Sequence, residues 1–139
     1  MAILVFNEIT TFRFPYKRRS IKWFKEIILN YNKKPGNISI IFCDDSRLLE
    51  INQKYLKHFY FTDVITFNYN NSDVISGDIF ISLDRVVENA SLFNVDVYHE
   101  LNRVMVHGLL HLLGFKDKSK TEIIEMRNIE NLCLSMLNS

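Results

Sequence analysis

A chain of 139 residues, 47% hydrophobic and 24% charged, has the length and balance of one soluble globular domain that can bury a core without staples. Its two cysteines, Cys43 and Cys133, stand far apart and outside any C-x-x-C spacing, and no stretch has the apolar length of a membrane span or a signal segment. A disulfide framework and a membrane protein are thereby excluded, and a cytoplasmic protein is expected.

Net charge is only +1, but its distribution is uneven. Residues 1–34 carry eight basic residues against two acidic ones, and the remainder carries nine against fourteen. That basic start points to an anionic partner for the N-terminal face; a solvated helix face is the plainer alternative.

Taken in chain order, residues 3–9 alternate weakly and read as a strand. Pro15, and Pro35 with Gly36, are the strong early breakers. Between them, residues 20–31 place Ile21, Phe24, Ile27, Ile28 and Tyr31 at helical spacing. Residues 37–42, NISIIF, form a short β-rich run. Asp45 is suited to cap a helix carrying Leu48, Leu49, Ile51, Tyr55 and Leu56. Residues 63–69 and 77–83 read as two more strands around a turn-rich segment at 70–76.

Helices then dominate. Residues 84–93 form one and residues 97–113 a second, apolar nearly all round from Val104 onward, as befits a helix in the middle of a core. Gly114 is placed to end it in a left-handed conformation. Ser119-x-x-Glu122 is a capping box opening a last helix with Ile123, Met126, Ile129 or Glu130, Cys133 and Leu137 at helical spacing. The expected fold is α+β, a single domain over 1–139, with one mixed sheet of about four strands, about five helices and a central buried helix.

That central helix carries the chemistry, in His107-Gly-Leu-Leu-His111-Leu-Leu-Gly114-Phe-Lys-Asp117. Side chains at i and i+4 lie one above the other, so two imidazoles can share one ion. Gly114 lets the chain reverse and bring Asp117 to the same point. H-x-x-x-H alone is a weak signal, but here it lies on the most apolar helix, where unpaired imidazoles are costly. The glycine and acid that follow fit the H-x-x-x-H-x-x-G-x-x-H frame, with Asp in the last place. Three protein ligands with one open position is the pattern of a catalytic zinc site. One Zn²⁺ per chain on His107, His111 and Asp117 is expected, although such N/O donor sets also accept other divalent ions. Zinc peptidases place a Glu general base after the first histidine; Gly108 stands there and counts against peptide-bond chemistry.

The same segment resembles the signature H-G-x-L-H-L-x-G-Y-D-H of the YbeY family of endoribonucleases. Thr62-Asp-Val-Ile-Thr-Phe67 is similar to that family's T-D-V-L-S-F strand, Gly77-Asp78-Ile79 to its G-D-I strand, and Ile51-Asn52 to Tyr55 to its L-N-x-x-Y segment. The resemblance spans roughly residues 40–137. It implies an α+β fold with the metal helix at the base of a cleft. It also implies a Zn²⁺-dependent, single-strand-specific endoribonuclease of ribosomal RNA, acting notably toward the 3′ end of the small-subunit RNA, with the ribosome or its assembly factors as partners. Neither DNA nor a membrane is expected as a partner.

The chain departs from the family pattern in two places. The family's third histidine falls on Asp117 and the acid before it on Lys116, which would lower the net charge at the ion and its pull on water and phosphate. The family's arginine after L-N-x-x-Y falls on Leu56; Lys57 or His58 is the nearest substitute. The general base is not readable. Glu100, on nearly the same helix face as His107, could orient a histidine, serve as base, or pair with Arg103. Asp78 could accept from an imidazole N–H or merely end a strand. Lys17, Arg18 and Arg19, in the basic segment with Tyr16, Trp23 and Phe24, are the candidate RNA-phosphate contacts. The competing readings are a zinc hydrolase of another class and a non-catalytic ribosome-associated module.

Overall fold

A computed structural model describes residues 2–58 and 60–138 of the protein. The chain runs β1 (Ile3–Asn7), α1 (Lys17–Asn30), β2 (Lys34–Cys43), α2 (Asp45–Leu56), β3 (Val64–Asn68) and β4 (Val74–Ser82). It continues through α3 (Leu83–Phe93), α4 (Val97–Leu112), α5 (Lys120–Ser135) and a closing 3₁₀ turn, Met136–Asn138. One four-stranded sheet has the order β1-β2-β4-β3. The first three strands in that order are parallel, and β3 returns antiparallel to β4. This is the expected mixed-sheet α+β architecture.

Local chemistry sets the boundaries. Strand β1 stops at Asn7, whose side-chain carbonyl accepts the Ile9 N–H at 2.9 Å and whose amide donates to the Phe12 carbonyl at 2.8 Å. Pro35 and Gly36 do not break the chain as expected. They lie inside β2, where the register against β4 shifts between Pro35 and Ile38, an irregularity that tolerates a residue without an N–H. Gly36 is needed there, because a Cβ would sit 2.1 Å from the Ser76 hydroxyl.

Asp45 is not the cap of α2. Asp44 is, accepting the Arg47 N–H at 2.8 Å. The Asp45 carboxylate instead meets Ser82 Oγ at 2.6 Å and Arg85 Nε at 3.0 Å, tying the start of α2 to the start of α3. The capping box of Ser119 and Glu122 is present as expected, and Cys43 and Cys133 are both free and buried. Leu137 lies in the 3₁₀ turn rather than on α5, and Ile123 is exposed, so the buried stripe of α5 begins at Met126.

The sheet has two differently covered faces. Ile38, Ile40, Phe42, Ile75, Ile79 and Ile81 point into the main core with Trp23, Phe24, Ile27 and Ile28 of α1 and the apolar residues of α4 and α5. Leu48 and Ile51 of α2 cover the opposite face with Cys43, Ile65, Phe67 and Phe80. Helix α4 is the most buried element: Leu101, Met105, Val106, Leu109 and Leu110 are fully enclosed. It lies directly on the β3–β4 hairpin because Gly108 has no side chain. A Cβ at that position would be 2.6 Å from Ile79 Cγ2 and 3.4 Å from methyls of Thr66 and Val64.

No helix of the described residues is long and apolar enough to cross a membrane. Gly108→Ala is expected to destabilise the fold, since overpacking of about 1–3 kcal/mol outweighs the gain of up to ~1 kcal/mol in helix propensity. Urea unfolding checks it: the midpoint falls while the slope stays the same.

Candidate metal centre

The centre is built at the C-terminal half of α4. After Leu112 the chain turns at Gly114, whose φ of +100° is left-handed. The Gly114 N–H bonds the His111 carbonyl at 3.0 Å, and the Phe115 N–H bonds the Leu110 carbonyl at 3.0 Å. These close the end of α4. The reversal brings Asp117 back beside the two histidines, as the sequence reading expected.

Three donor atoms converge. His107 Nε2 and His111 Nε2 are 3.0 Å apart, and Asp117 Oδ2 lies 3.1 Å from the first and 3.3 Å from the second. The three residues are half-buried and together could hold a metal ion. The fit is geometric as well as chemical. Tetrahedral ligands at 2.0–2.1 Å from a zinc ion are separated by roughly 3.3 Å, close to the three observed spacings. Two nitrogens and one oxygen facing inward at that range are what a divalent cation satisfies, and three ligands leave a position for water or substrate.

The residue that orients this set is Glu130, on α5. It is 4% exposed, and its Oε2 lies 2.6 Å from His107 Nδ1. With the Nδ1 proton donated to that carboxylate, Nε2 presents its lone pair to the centre. Arg103 donates to Glu130 Oε1 at 3.0 Å and to Asn131 Oδ1 at 3.2 Å, while Arg127 lies 3.7 Å from Glu130 Oε1. Burial acts to lower the His107 pKa, but the hydrogen bond and charge of Glu130 outweigh it and leave the imidazole above its usual value. Burial acts to raise the Glu130 carboxyl, and its bonds to His107 and Arg103 hold it below the usual range.

Glu130 was legible only as one of two alternatives at an apolar position of α5. Its position carries a second signal, a carboxylate at the spacing of a buried stripe. Such a residue needs a cationic partner from a facing helix.

The other sequence candidates fall in different places. Glu100 is buried, but its contact to Arg103 is long, at 4.0 Å; burial raises its carboxyl, and it lines the same hollow as His107 without orienting it. Asp78 does not reach an imidazole. It lies on the α2 side of the sheet, in a hollow it shares with Tyr55, Phe67, Tyr69 and Phe80. Lys116 is exposed. Lys17, Arg18 and Arg19 are exposed on the first turn of α1, with Arg19 stacked on Tyr16 at 4.2 Å, and they line neither hollow that contains His107 and Asp117.

Those two hollows flank His107. One, about 320 Å³, contains Asp63, Glu100, Arg103, Asp117 and Glu130. The other, about 460 Å³, is walled by residues of the α2–β3 loop and β3 and contains His107, His111 and Asp117. Asp63 belongs to both. Burial raises its carboxyl pKa, with the nearby His107 charge opposing, and Asn89 Nδ2 approaches its Oδ2 at 3.4 Å. It entered the sequence reading only as part of a strand motif.

The chain matches the family model described as Endoribonuclease YbeY over residues 6–138. A protein of Azobacteroides pseudotrichonymphae named Endoribonuclease YbeY is 46% identical over 91% of this chain and 93% of its own length. One of the same name from Flavobacterium psychrophilum is 46% identical over 98% of this chain and 97% of its own. In three dimensions the chain is similar to the solution structure of TM1509 from Thermotoga maritima. The TM-score is 0.64 at 27% identity, covering 98% of this chain and 89% of that one.

Glu130→Gln keeps the shape but removes the charge that fixes His107. A loss of about 10–100-fold in metal affinity is expected, read by titration against a competing chelator; unchanged affinity would show that the carboxylate does not support the ligand.

Proposed function

The chain belongs to the YbeY family of endoribonucleases, and from that premise we propose that it hydrolyses single-stranded RNA at the His107–His111–Asp117 centre, with Zn²⁺ as the ion. Its substrate in this reading is ribosomal RNA, notably the 3′ end of the small-subunit RNA, met on the ribosome or with its assembly factors in the cytoplasm. The observation that supports it most is the convergence of three metal-donor atoms in a cleft open to solvent, on the segment that carries the family motif.

The reaction joins water to phosphorus and breaks one P–O bond of the backbone. A bound divalent ion supplies charge to the phosphoryl oxygens and makes a water more acidic. The chain's own residues prepare for this. Glu130 holds the proton on His107 Nδ1, so Nε2 remains a lone-pair donor. Arg103 balances Glu130, so the buried carboxylate is not left as an uncompensated charge. Asp117 brings a negative charge where the family motif has a neutral histidine, so more of the attraction for phosphate must come from elsewhere in the cleft. Lys17, Arg18 and Arg19 would grip the backbone away from the point of cleavage, holding RNA without reading its sequence.

Peptide hydrolysis is disfavoured by a specific contact. The Glu that zinc peptidases carry after the first histidine cannot be accommodated at Gly108, where even a Cβ meets Ile79.

A purified, metal-loaded sample is expected to cut single-stranded RNA internally and to leave duplex RNA intact. Chelation, or His111→Ala, should each reduce cleavage on the order of 10²-fold or more, because one ligand fewer leaves an incomplete site. Cleavage that survives both would overturn the metal-dependent reading.

A further inference from the structure

Four histidines are present in the chain. Two belong to the metal centre, and His99 lines a separate hollow with Phe93, Val95 and Arg127. The fourth, His58, opens into the same cleft as His107, His111 and Asp117.

Its placement is built. Helix α2 ends at Leu56, and Lys57 takes a left-handed φ of 58°, a conformation that costs a non-glycine residue about 1 kcal/mol or more. The backbone N–H groups of Lys57 and His58 both turn back to the Asn52 carbonyl, the latter at 3.1 Å. The Asn52 side chain is 1% exposed and donates to the Tyr60 carbonyl at 2.9 Å. The Tyr60 ring stacks on the His58 imidazole, with centroids 5.1 Å apart and planes 20° apart. Its hydroxyl meets His58 Nδ1 at 3.0 Å. With that hydroxyl donating to Nδ1, the imidazole proton resides on Nε2; in the imidazolium both nitrogens carry one. In both of these forms Nε2 carries a proton that it can donate.

Charge decides what that donor is for. The described residues lining the cleft include two carboxylates, Asp63 and Asp117, but no lysine or arginine. A phosphodiester entering it therefore meets one side chain outside the metal set that can carry positive charge, and that is His58. Lys57, beside it, does not line the cleft. Resting on the RNA-cleaving reading above, we propose that His58 is a catalytic residue that hydrogen-bonds a non-bridging oxygen of the scissile phosphate through Nε2–H. Asn52 and Tyr60 are the positioning residues that hold it there.

The test compares cleavage of a single-stranded oligoribonucleotide by parent, His58→Ala, His58→Arg and Tyr60→Phe proteins, each loaded with Zn²⁺ and assayed for bound metal. His58→Ala is expected to lower kcat on the order of 10²-fold, as loss of a donor to developing charge does, with KM within about threefold and metal content unchanged. His58→Arg restores a charged donor and should bring kcat back to within about tenfold of the parent. Tyr60→Phe, which keeps the ring and removes the hydroxyl, should cost about five- to tenfold, the loss expected of one hydrogen bond. A His58→Ala protein that keeps the parent's kcat overturns this proposal alone. A parent that leaves RNA intact overturns the RNA-cleaving reading, and this proposal with it. A kcat lost together with bound metal shows His58 to be part of the metal site and also contradicts the assignment.

Discussion

The hydrogen bond between His107 and the buried carboxylate of Glu130, 2.6 Å long, is the contact on which the rest of the site depends. It joins α5 to α4 through a charge. A carboxylate that deep is costly unless paired, and removing a partner from such a pair is more costly still. Here it is balanced by His107 on one oxygen and by Arg103 on the other. That balance fixes which imidazole nitrogen faces His111 and Asp117. It also fixes the distance between α4 and α5, and with it the approach of Asp117, which lies just before α5, to the two histidines of α4. The Trp23 indole N–H, which donates to the Cys133 carbonyl at 2.8 Å, holds the C-terminal part of α5 to α1 and so braces the same arrangement.

The floor beneath this network is equally constrained. Gly108 lets α4 rest on Ile79, Thr66 and Val64, which brings the metal residues against β3 and the loop that precedes it. The sheet therefore supplies the second wall of the cleft, and the loop supplies its polar groups. One absent side chain thus does two things: it closes the packing and it removes the carboxylate that peptide hydrolysis would require. What remains is a cleft whose positive charge would come from a bound cation and from His58, with an aspartate among the candidate ligands that would lower the charge at such an ion. A phosphate-handling cleft of that kind depends on each remaining donor.

Much of this was legible in the sequence, for physical reasons that can be named. The apolar wrap of α4, the i, i+4 histidines, the left-handed Gly114 and the capping box at Ser119 are short-range signals, and each formed where the spacing placed it. The misplaced features depend on partners distant in sequence. Asp44 and Asp45 are equally good caps on paper; which one caps is decided by Ser82 and Arg85, contributed by β4 and the start of α3. Pro35 and Gly36 read as breakers because their place in β2 depends on a register shift against β4. Glu130 occupies a core position that an apolar pattern cannot distinguish from Ile129 until α4 is seen to present Arg103 and His107. Asp78 alternates along a strand, and only the pairing with β3 shows that it faces α2 rather than the histidines.

The central claim, an ion held by two imidazoles of α4 and a carboxylate from the turn after Gly114, is tested most directly by X-ray absorption spectroscopy with metal analysis of the gently purified protein and of Asp117→Ala. One ion per chain is expected in the parent. Its first shell should be nitrogen and oxygen only, with the multiple scattering of two imidazoles, and Asp117→Ala should hold the ion more weakly. An ion with sulfur in its shell, a shell without imidazole, or a parent that binds no ion when offered one would contradict it.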